Sequence, residues 1–139
     1  MQRIEVSESF HQPVERVFAF LAEHENLGPL LGARVTRVRD GQTSRNGVGS
    51  TRSLKVGPLP ALEETVTQVV PDELIEYRIT KGGAPVSDHL GVLRFAARGA
   101  GSTLTWTITF SAPPVLAQLV TLGLTRSIKA GLKKVDARA

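Results

Sequence analysis

Apolar and polar residues alternate at the start of the chain and then recur at helical spacing. Ile4 and Val6 alternate with polar residues, which predicts a first strand. Pro13 opens a predicted helix, because proline fits a first turn, where its missing N–H is not needed. Apolar residues recur three, four and seven positions after Val14 and form one stripe of this helix. A second short helix is predicted over residues 23–31, interrupted by Gly28-Pro29.

The alternation returns after residue 33 and predicts five or six more strands. They cover residues 34–40, 48–56, 61–70, 73–80, 86–97 and 102–111. Turn-forming pairs such as Asp40-Gly41 and Asn46-Gly47 lie between them, which predicts an antiparallel meander. Pro113-Pro114 begins a last helix, over residues 114–135, with one apolar side. The pattern predicts one α+β domain over residues 1–139, with about seven strands, two short helices after strand 1 and a long C-terminal helix.

A short segment between residues 52 and 64 places opposite charges on the apolar face of the sheet. If the chain folds back about residues 57–60, residue 52 faces residue 64, and residue 54 faces residue 62. Leu54 and Leu62 mark this face as the inner one, so Arg52 and Glu64 are predicted to lie inside. The two charges would either line a cavity or form a desolvated ion pair, and the sequence leaves both roles open.

The same alternation assigns inner residues on the later strands. Apolar even positions alternate with threonines between residues 102 and 110, so Trp106 is predicted to point inward. Pairing across the turn at 98–101 makes His89 an inner residue, and pairing across Pro71-Asp72 does the same for Tyr77. The predicted lining of a pocket under the last helix is a convergent polar set among aliphatic residues: Arg52, Glu64, Gln68, Tyr77, His89 and Trp106.

These residues also have a purely structural interpretation. Tyr77 and Trp106 are typical core residues, and His89 is typical of a hydrogen-bonded residue in the wall of a core. His11 and His24 are predicted to lie at the surface. No set of histidines and carboxylates has the spacing of metal ligands, so the sequence predicts no metal site and no cofactor.

Composition narrows the classes of function. The net charge of +4 and the pI of 10.0 come from scattered basic residues, and the chain has few aromatic residues, so nucleic-acid binding is not expected. The chain has no cysteine, and residues 1–5 show no secretory signal, which favours a cytoplasmic protein.

The last helix carries a basic stripe at Arg126, Lys129 and Lys133, opposite its apolar side. Such a stripe could meet anionic lipid headgroups. A solvated face, with cations near a helix C-terminus, is the favoured interpretation. Stable membrane insertion is not expected, because threonines and Pro113-Pro114 interrupt the uncharged segment 99–125.

Several segments resemble the START-related (SRPBCC) superfamily. Residues 22–27 resemble the entry to the second helix of its polyketide cyclase/dehydrase-like branch, and residues 47–52 resemble its Gly-x-Gly-x-x-Arg strand. Glu64 resembles the acid that follows, and residues 99–106 resemble the glycine turn and tryptophan strand near its end. Leu30 departs from the tryptophan of many relatives. The resemblance implies a helix-grip fold with a curved sheet and a deep cavity for lipids, hormones or polyketides.

Two functions remain open. The protein either binds a small hydrophobic molecule, lipid or polyketide-like, whose polar or acidic group meets Arg52, or it is a cyclase/dehydratase-type enzyme in which Tyr77, His89 or Glu64 moves a proton. Both require a cavity of at least about 300 Å³ lined by Tyr77, His89 and Trp106. Because an inner arginine stays charged, binding is expected to depend on Arg52 more than on His89. The sequence leaves the oligomeric state open, a homodimer included.

Overall fold

The computed structural model describes residues 1–139 and contains one antiparallel sheet of seven strands. The strands are β1 (Gln2–Phe10), β2 (Arg34–Arg39), β3 (Thr51–Lys55), β4 (Leu62–Val70), β5 (Leu74–Lys81), β6 (Ser87–Arg98) and β7 (Gly101–Ser111). The helices are α1 (Val14–Ala22), α2 (Gly28–Leu31), α3 (Pro114–Leu132) and α4 (Val135–Arg138), with a 3₁₀ turn at His24–Asn26 between α1 and α2. The predicted strands are confirmed.

The strands lie in the order β1-β7-β6-β5-β4-β3-β2. Each strand from β2 to β6 pairs with the next one along the chain, and β1 pairs with β7. Ile4 lies opposite Ile108, and Val6 lies opposite Trp106. The even positions of β7 from Ser102 onwards are buried in strict alternation, as its apolar pattern predicts. The curved open sheet, the short helices after β1 and the long C-terminal helix form the predicted helix-grip α+β fold.

The core forms where α1 and α3 cover the inner face of the sheet. Val17 of α1 and Ile128 and Leu132 of α3 have no exposed surface. The apolar stripe of α1 explains this position, because a short amphipathic helix is stabilised mainly by packing its apolar face. Phe18 extends the contact to β6, where its ring meets the ring of Phe95 edge-on at a centroid distance of 5.1 Å.

The last helix is shorter than predicted, because α3 ends at Leu132 and Val135 lies in the separate turn α4. The carboxylate of Asp136 accepts hydrogen bonds from the backbone N–H groups of His11 and Gln12 at 2.9 to 3.0 Å. These bonds hold α4 beside the start of α1. No helix of the structure is both long enough and apolar enough to cross a membrane.

A bulge in β4 overturns one of the predictions about inner residues. Val66 pairs with Tyr77 as predicted, but Gln68 pairs with Glu76. The irregularity between Val66 and Gln68 shifts the alternation by one residue, so that Val69 takes the inner position. Gln68 is exposed, and the prediction that it lines the interior is wrong.

Candidate functional site

Arg52 and Glu64 form a buried ion pair between adjacent strands, as the register predicted. Arg52 of β3 lies opposite Glu64 of β4, and their side chains are only 4% and 8% exposed. The Nε and Nη2 atoms of Arg52 lie 2.9 and 2.8 Å from the same carboxylate oxygen, Oε1 of Glu64. Desolvating two charges is costly, so such a pair depends on close, well-placed contacts. The second oxygen, Oε2, forms no hydrogen bond within the chain.

His24 is a fully buried partner of Arg52, and the prediction that it lies at the surface is wrong. Its Nε2 lies 3.0 Å from Oγ of Ser50, and the hydroxyl of Ser50 donates its hydrogen to the carbonyl of Gly47 at 2.7 Å. Because that hydrogen is already used, Nε2 of His24 must be the donor to Ser50. Nδ1 is then the acceptor for Nη1 of Arg52, at 3.3 Å.

The surroundings of His24 keep its imidazole neutral. Burial, followed by the charge of the Arg52 guanidinium, lowers the pKa of His24 from 6.5 to about 3. A neutral His24 can accept the hydrogen bond from Arg52, whereas a protonated ring would repel the guanidinium. His24 therefore fixes the orientation of Arg52 from the side opposite to Glu64.

A network of ion pairs holds the loop between β2 and β3 in place. This loop contains Ser50, which bonds to His24, and Gly47, whose carbonyl accepts from Ser50. Arg37 of β2 donates to the carboxylates of Glu23 and Glu25 at 2.9 Å, immediately before and after His24 in sequence. Arg37 also donates to the carbonyl of Arg45, within the loop, at 3.0 Å. Its side chain is only 11% exposed, so this network is less screened than a single surface pair.

His89 points inward as predicted, and the fold supplies a partner for it. The β5–β6 ladder ends at the pair of Tyr77 and Gly91, and the N–H of Ile79 donates instead to Nδ1 of His89 at 3.1 Å. This bond leaves the hydrogen of the neutral ring on Nε2. Nε2 lies 3.8 Å from Oε2 of Glu64, too far for a direct hydrogen bond. Burial lowers the pKa of His89, partly opposed by the nearby Glu64 carboxylate.

Tyr77 and Trp106 are buried beside the ion pair, as predicted. The guanidinium of Arg52 lies 4.7 Å from the centre of the Tyr77 ring, within range of a cation–π interaction. The indole N–H of Trp106 donates to the hydroxyl oxygen of Tyr77 at 3.0 Å. Burial, followed by the charge of Glu64, raises the pKa of Tyr77, so its phenol stays protonated.

The cluster leaves one donor and one acceptor without a hydrogen-bond partner within the chain. The charge of Arg52 is balanced by Glu64, and both buried histidines are neutral, which leaves Nε2–H of His89 facing Oε2 of Glu64. A hydroxyl between them could accept from the first and donate to the second. A carboxylate has no hydrogen to donate and would be repelled by Glu64. The structure has no group of three or more His, Cys, Asp or Glu side chains that could hold a metal ion.

Two pockets at the surface lie away from this cluster. One has a volume of about 660 Å³ and is an open groove lined by Gly28, Pro29, Gly32, Ala33, Arg34, Lys55 and Gly57. The other, of about 410 Å³, is lined by Ser9, Phe10, His11, Arg98, Ala100 and Gly101. Neither of these two pockets is lined by Tyr77, His89 or Trp106, so the cavity expected along these residues stays a prediction. Tyr77 and Trp106 are packed into the core, each only 1% exposed.

Between the buried residues Ala117 and Ile128, the inner face of α3 is less completely buried. Ile128 and Leu132 are fully buried, whereas Val120 and Leu124 are only half-buried at the edge of the core. The hydroxyl oxygen of Thr121 is buried without any hydrogen-bond partner. A buried hydroxyl without a partner is unfavourable. The segment of α3 from Val120 to Leu124 therefore packs less favourably against the core than the segment from Ile128 to Leu132.

Comparison with protein families gives one match. A family model described as polyketide cyclase / dehydrase and lipid transport matches residues 1–139. A comparison with curated proteins finds no match.

Several solved structures share the fold at low sequence identity. A protein from Thermobifida fusca is 19% identical, with a TM-score of 0.77 over 99% of this chain and 93% of that one. Protein Ms6760 from Mycobacterium smegmatis is 16% identical, with a TM-score of 0.69 over 97% and 88%. The Aha1 dimer from Colwellia psychrerythraea is 12% identical, with a TM-score of 0.68 over 98% and 94%.

Proposed function

Because this chain belongs to the polyketide cyclase/dehydrase and lipid transport family, we propose that it binds a small hydrophobic molecule between its sheet and α3. The observation that carries this proposal is the pair of free polar atoms, Nε2 of His89 and Oε2 of Glu64, which lie 3.8 Å apart beside the apolar core. Ligand sites typically combine an apolar lining with a few polar groups that converge on one point. The inner cluster of this protein has that composition.

The polar group of the ligand is a neutral hydroxyl in this proposal. The sequence allowed either a neutral or an acidic polar group on the ligand. The contacts favour the neutral group, because Arg52 already directs its donors to Glu64 and His24. An added carboxylate would meet a charge-balanced cluster and the lone pairs of Glu64. Arg52 thus holds Glu64 in position, and His89 supplies the donor for the ligand. This assignment replaces the expectation that Arg52 is the main anchor.

The apolar part of the ligand would lie under the amino-terminal half of α3. Val120 and Leu124 of α3 are half-buried there and border the core. Neither of the two pockets described above is lined by these residues, and in this proposal binding includes a movement of this half of α3 away from the sheet. A ligand with a second polar atom would also give the Thr121 hydroxyl a partner.

A cyclase or dehydratase is the second candidate, and the fixed tautomer of His89 favours it. Nε2–H of His89 could donate to a substrate carbonyl while Oε2 of Glu64 faces the same point. Because burial lowers the pKa of His89, the ring is neutral at pH 7 and acts more readily as a hydrogen-bond donor than as an acid. Turnover lost in His89→Phe at unchanged substrate affinity would favour the enzyme over the binding protein.

A panel of matched compounds tests the binding proposal. 2-Naphthol, 2-naphthoate and naphthalene share one skeleton and differ in the polar group, and 1-decanol and decanoate form an aliphatic pair. A ligand that binds only the folded protein raises its thermal midpoint, by several degrees when it is present well above its dissociation constant. The hydroxyl compounds should raise the midpoint most.

The variant His89→Phe is the matched control, because it keeps an apolar ring and removes the donor. It should bind naphthalene as the wild type does and lose the preference for 2-naphthol. If no compound of the panel shifts the thermal midpoint or quenches the fluorescence of Trp106, the proposed binding of small hydrophobic molecules is contradicted.

A further inference from the structure

The outer face of α3 carries a continuous stripe with two chemically different halves. Its residues recur at alternating spacings of four and three and point away from the buried Ala117, Ile128 and Leu132. The stripe consists of Val115, Leu119, Leu122, Arg126, Lys129 and Lys133. The first half is therefore apolar and the second half is cationic.

Both halves of this outer stripe are exposed and unpartnered. Val115, Leu119 and Leu122 are 72%, 63% and 50% exposed, and they follow one another on successive turns. The three cations of the stripe form no salt bridge with any carboxylate of the chain. Residues 114–135 contain no aspartate or glutamate. A partner of this face must accept exposed aliphatic side chains and supply negative charge.

The same stripe on a second copy of the chain does not meet this requirement. If two stripes packed in parallel, Arg126, Lys129 and Lys133 would face their own copies. If they packed antiparallel, the cations would face the valine and leucines of the other helix. Neither arrangement provides an acidic partner, because the stripe has none. An anionic lipid surface satisfies both halves, since its headgroups bind cations and its interface accepts leucine and valine.

We propose that the outer stripe of α3 docks reversibly on anionic lipid bilayers. Leu119 and Leu122 enter the interface, and the long side chains of Arg126, Lys129 and Lys133 reach the phosphates beside it. This inference does not depend on the ligand site, because the stripe lies on the opposite side of α3 from the half-buried Val120 and Leu124.

The open groove next to α3 and the hairpin beside it also carry both cationic and aliphatic side chains. Arg34 and Lys55 line it, and Gly32, which also lines it, adjoins Ser127 of α3. The β3–β4 hairpin that follows Lys55 exposes Val56 and Leu59, 45% and 60% of their surface.

Vesicle co-sedimentation tests the proposal without added ligand. Wild-type protein should bind phosphatidylcholine vesicles that contain about 30% phosphatidylglycerol and should not bind phosphatidylcholine alone. Each cation near such a surface is expected to contribute about fivefold to the binding constant. The triple variant Arg126→Gln/Lys129→Gln/Lys133→Gln should therefore bind at least about tenfold more weakly, with glutamine chosen because it preserves helix propensity.

A charge-matched control separates the stripe from the overall charge. Arg78→Gln/Lys81→Gln/Arg94→Gln removes three exposed cations from the sheet and should bind within about twofold of wild type. Leu119→Gln/Leu122→Gln should weaken binding at high salt as well as at low salt, since it removes the apolar part. Equal losses in the two triple variants, or no binding to the anionic vesicles, would overturn the proposal.

Sedimentation of the protein without vesicles tests whether a second copy of the chain covers the outer stripe instead. The proposal predicts that the outer stripe leaves the protein's association state unchanged, so wild type and Leu119→Gln/Leu122→Gln should sediment alike. A wild-type dimer that the double variant converts to a monomer would show that a second copy covers the stripe, and would overturn the bilayer assignment.

Discussion

On the inner face of the sheet, the ring of Tyr77 occupies the space beside Gly91 where the Cβ atom of any other residue would lie. A Cβ atom at position 91 would overlap the Cζ, Cε1 and Oη atoms of Tyr77. The ring in this position lies 4.7 Å from the guanidinium of Arg52, and its hydroxyl oxygen accepts a hydrogen bond from the indole N–H of Trp106 at 3.0 Å. The absence of a side chain at Gly91 therefore permits the contacts that join the ion pair to the core.

Gly91→Ala should destabilise the protein by about 1 to 3 kcal/mol, the usual range for overpacking a core. The added methyl displaces the Tyr77 ring and breaks its hydrogen bond with Trp106. Urea unfolding followed by the fluorescence of Trp106, the single tryptophan, measures the change. In a Tyr77→Val background the ring is gone, and Gly91→Ala should then cost much less. Equal costs in both backgrounds would show that the ring is not the constraint.

Alanine substitutions at two glycines of α3 should change the stability of the protein in opposite directions. A Cβ at Gly123 meets no atom within 4 Å, so Gly123→Ala should stabilise the protein by up to about 1 kcal/mol through helix propensity. A Cβ at Gly131 would lie 2.8 Å from Cγ and 3.0 Å from Cα of Leu30, so Gly131→Ala should destabilise it. Thermal unfolding of both variants checks this, and stabilisation by Gly131→Ala would contradict the packing of α3 on α2.

The fold could be predicted from sequence because its determinants are local. Alternation along β3 to β7 fixes which face of each strand is buried, and tight turns carry that parity from strand to strand. The same reasoning placed Arg52, Glu64, Tyr77, His89 and Trp106 inside. It failed at Gln68, because the bulge after Val66 adds a residue that no change in the apolar pattern marks.

Two features of the site depend on contacts between distant segments and could not be predicted. His24 lies in a polar stretch of the sequence. It is buried because its ring contacts Ser50, and because Arg37 bonds to Glu23 and to the carbonyl of Arg45 in the loop before Ser50. The partner of His89 is the backbone N–H of Ile79, which becomes available only because the β5–β6 ladder ends early. A sequence shows which residues can form such bonds, and the fold decides which of them meet.

Stability should fall as the pH drops below 6.5. The pKa of His24 is about 3 in the folded protein and 6.5 in an ordinary setting, so between these values the unfolded chain binds a proton that the folded chain does not. The free energy of unfolding should decrease by about 1.4 kcal/mol per pH unit from this group alone. The full stabilisation is present above pH 6.5 and is lost as the pH falls towards 3.

His24→Gln is the matched variant for this effect, because an amide can accept from Arg52 and donate to Ser50 without titrating. Urea unfolding between about pH 7 and pH 5 should show a shallower slope for the variant than for the wild type. The slope does not vanish, because burial also lowers the pKa of His89. Identical slopes would contradict the burial of a neutral His24. Below pH 4.5 the Glu25 carboxylate, whose pKa Arg37 lowers to about 2, adds a further loss.

Arg52→Met and Glu64→Gln should be strongly coupled in stability. Each single substitution leaves a buried charge without its partner, which typically costs about 3 to 5 kcal/mol. The double variant removes both charges and should cost clearly less than the sum of the two. A double-mutant cycle from urea unfolding measures the coupling, and additive costs would mean that the 2.8 Å contact contributes nothing to stability.

The binding proposal is tested most directly by a cycle between the ligand hydroxyl and His89. Isothermal titration gives the affinities of 2-naphthol and naphthalene for the wild type and for His89→Phe. If Nε2–H of His89 and Oε2 of Glu64 receive the hydroxyl, the wild type should prefer 2-naphthol by about tenfold, or about 1.4 kcal/mol, and His89→Phe should lose that preference while keeping its affinity for naphthalene. A preference that survives in His89→Phe, or a wild type that binds both compounds equally, would contradict the account.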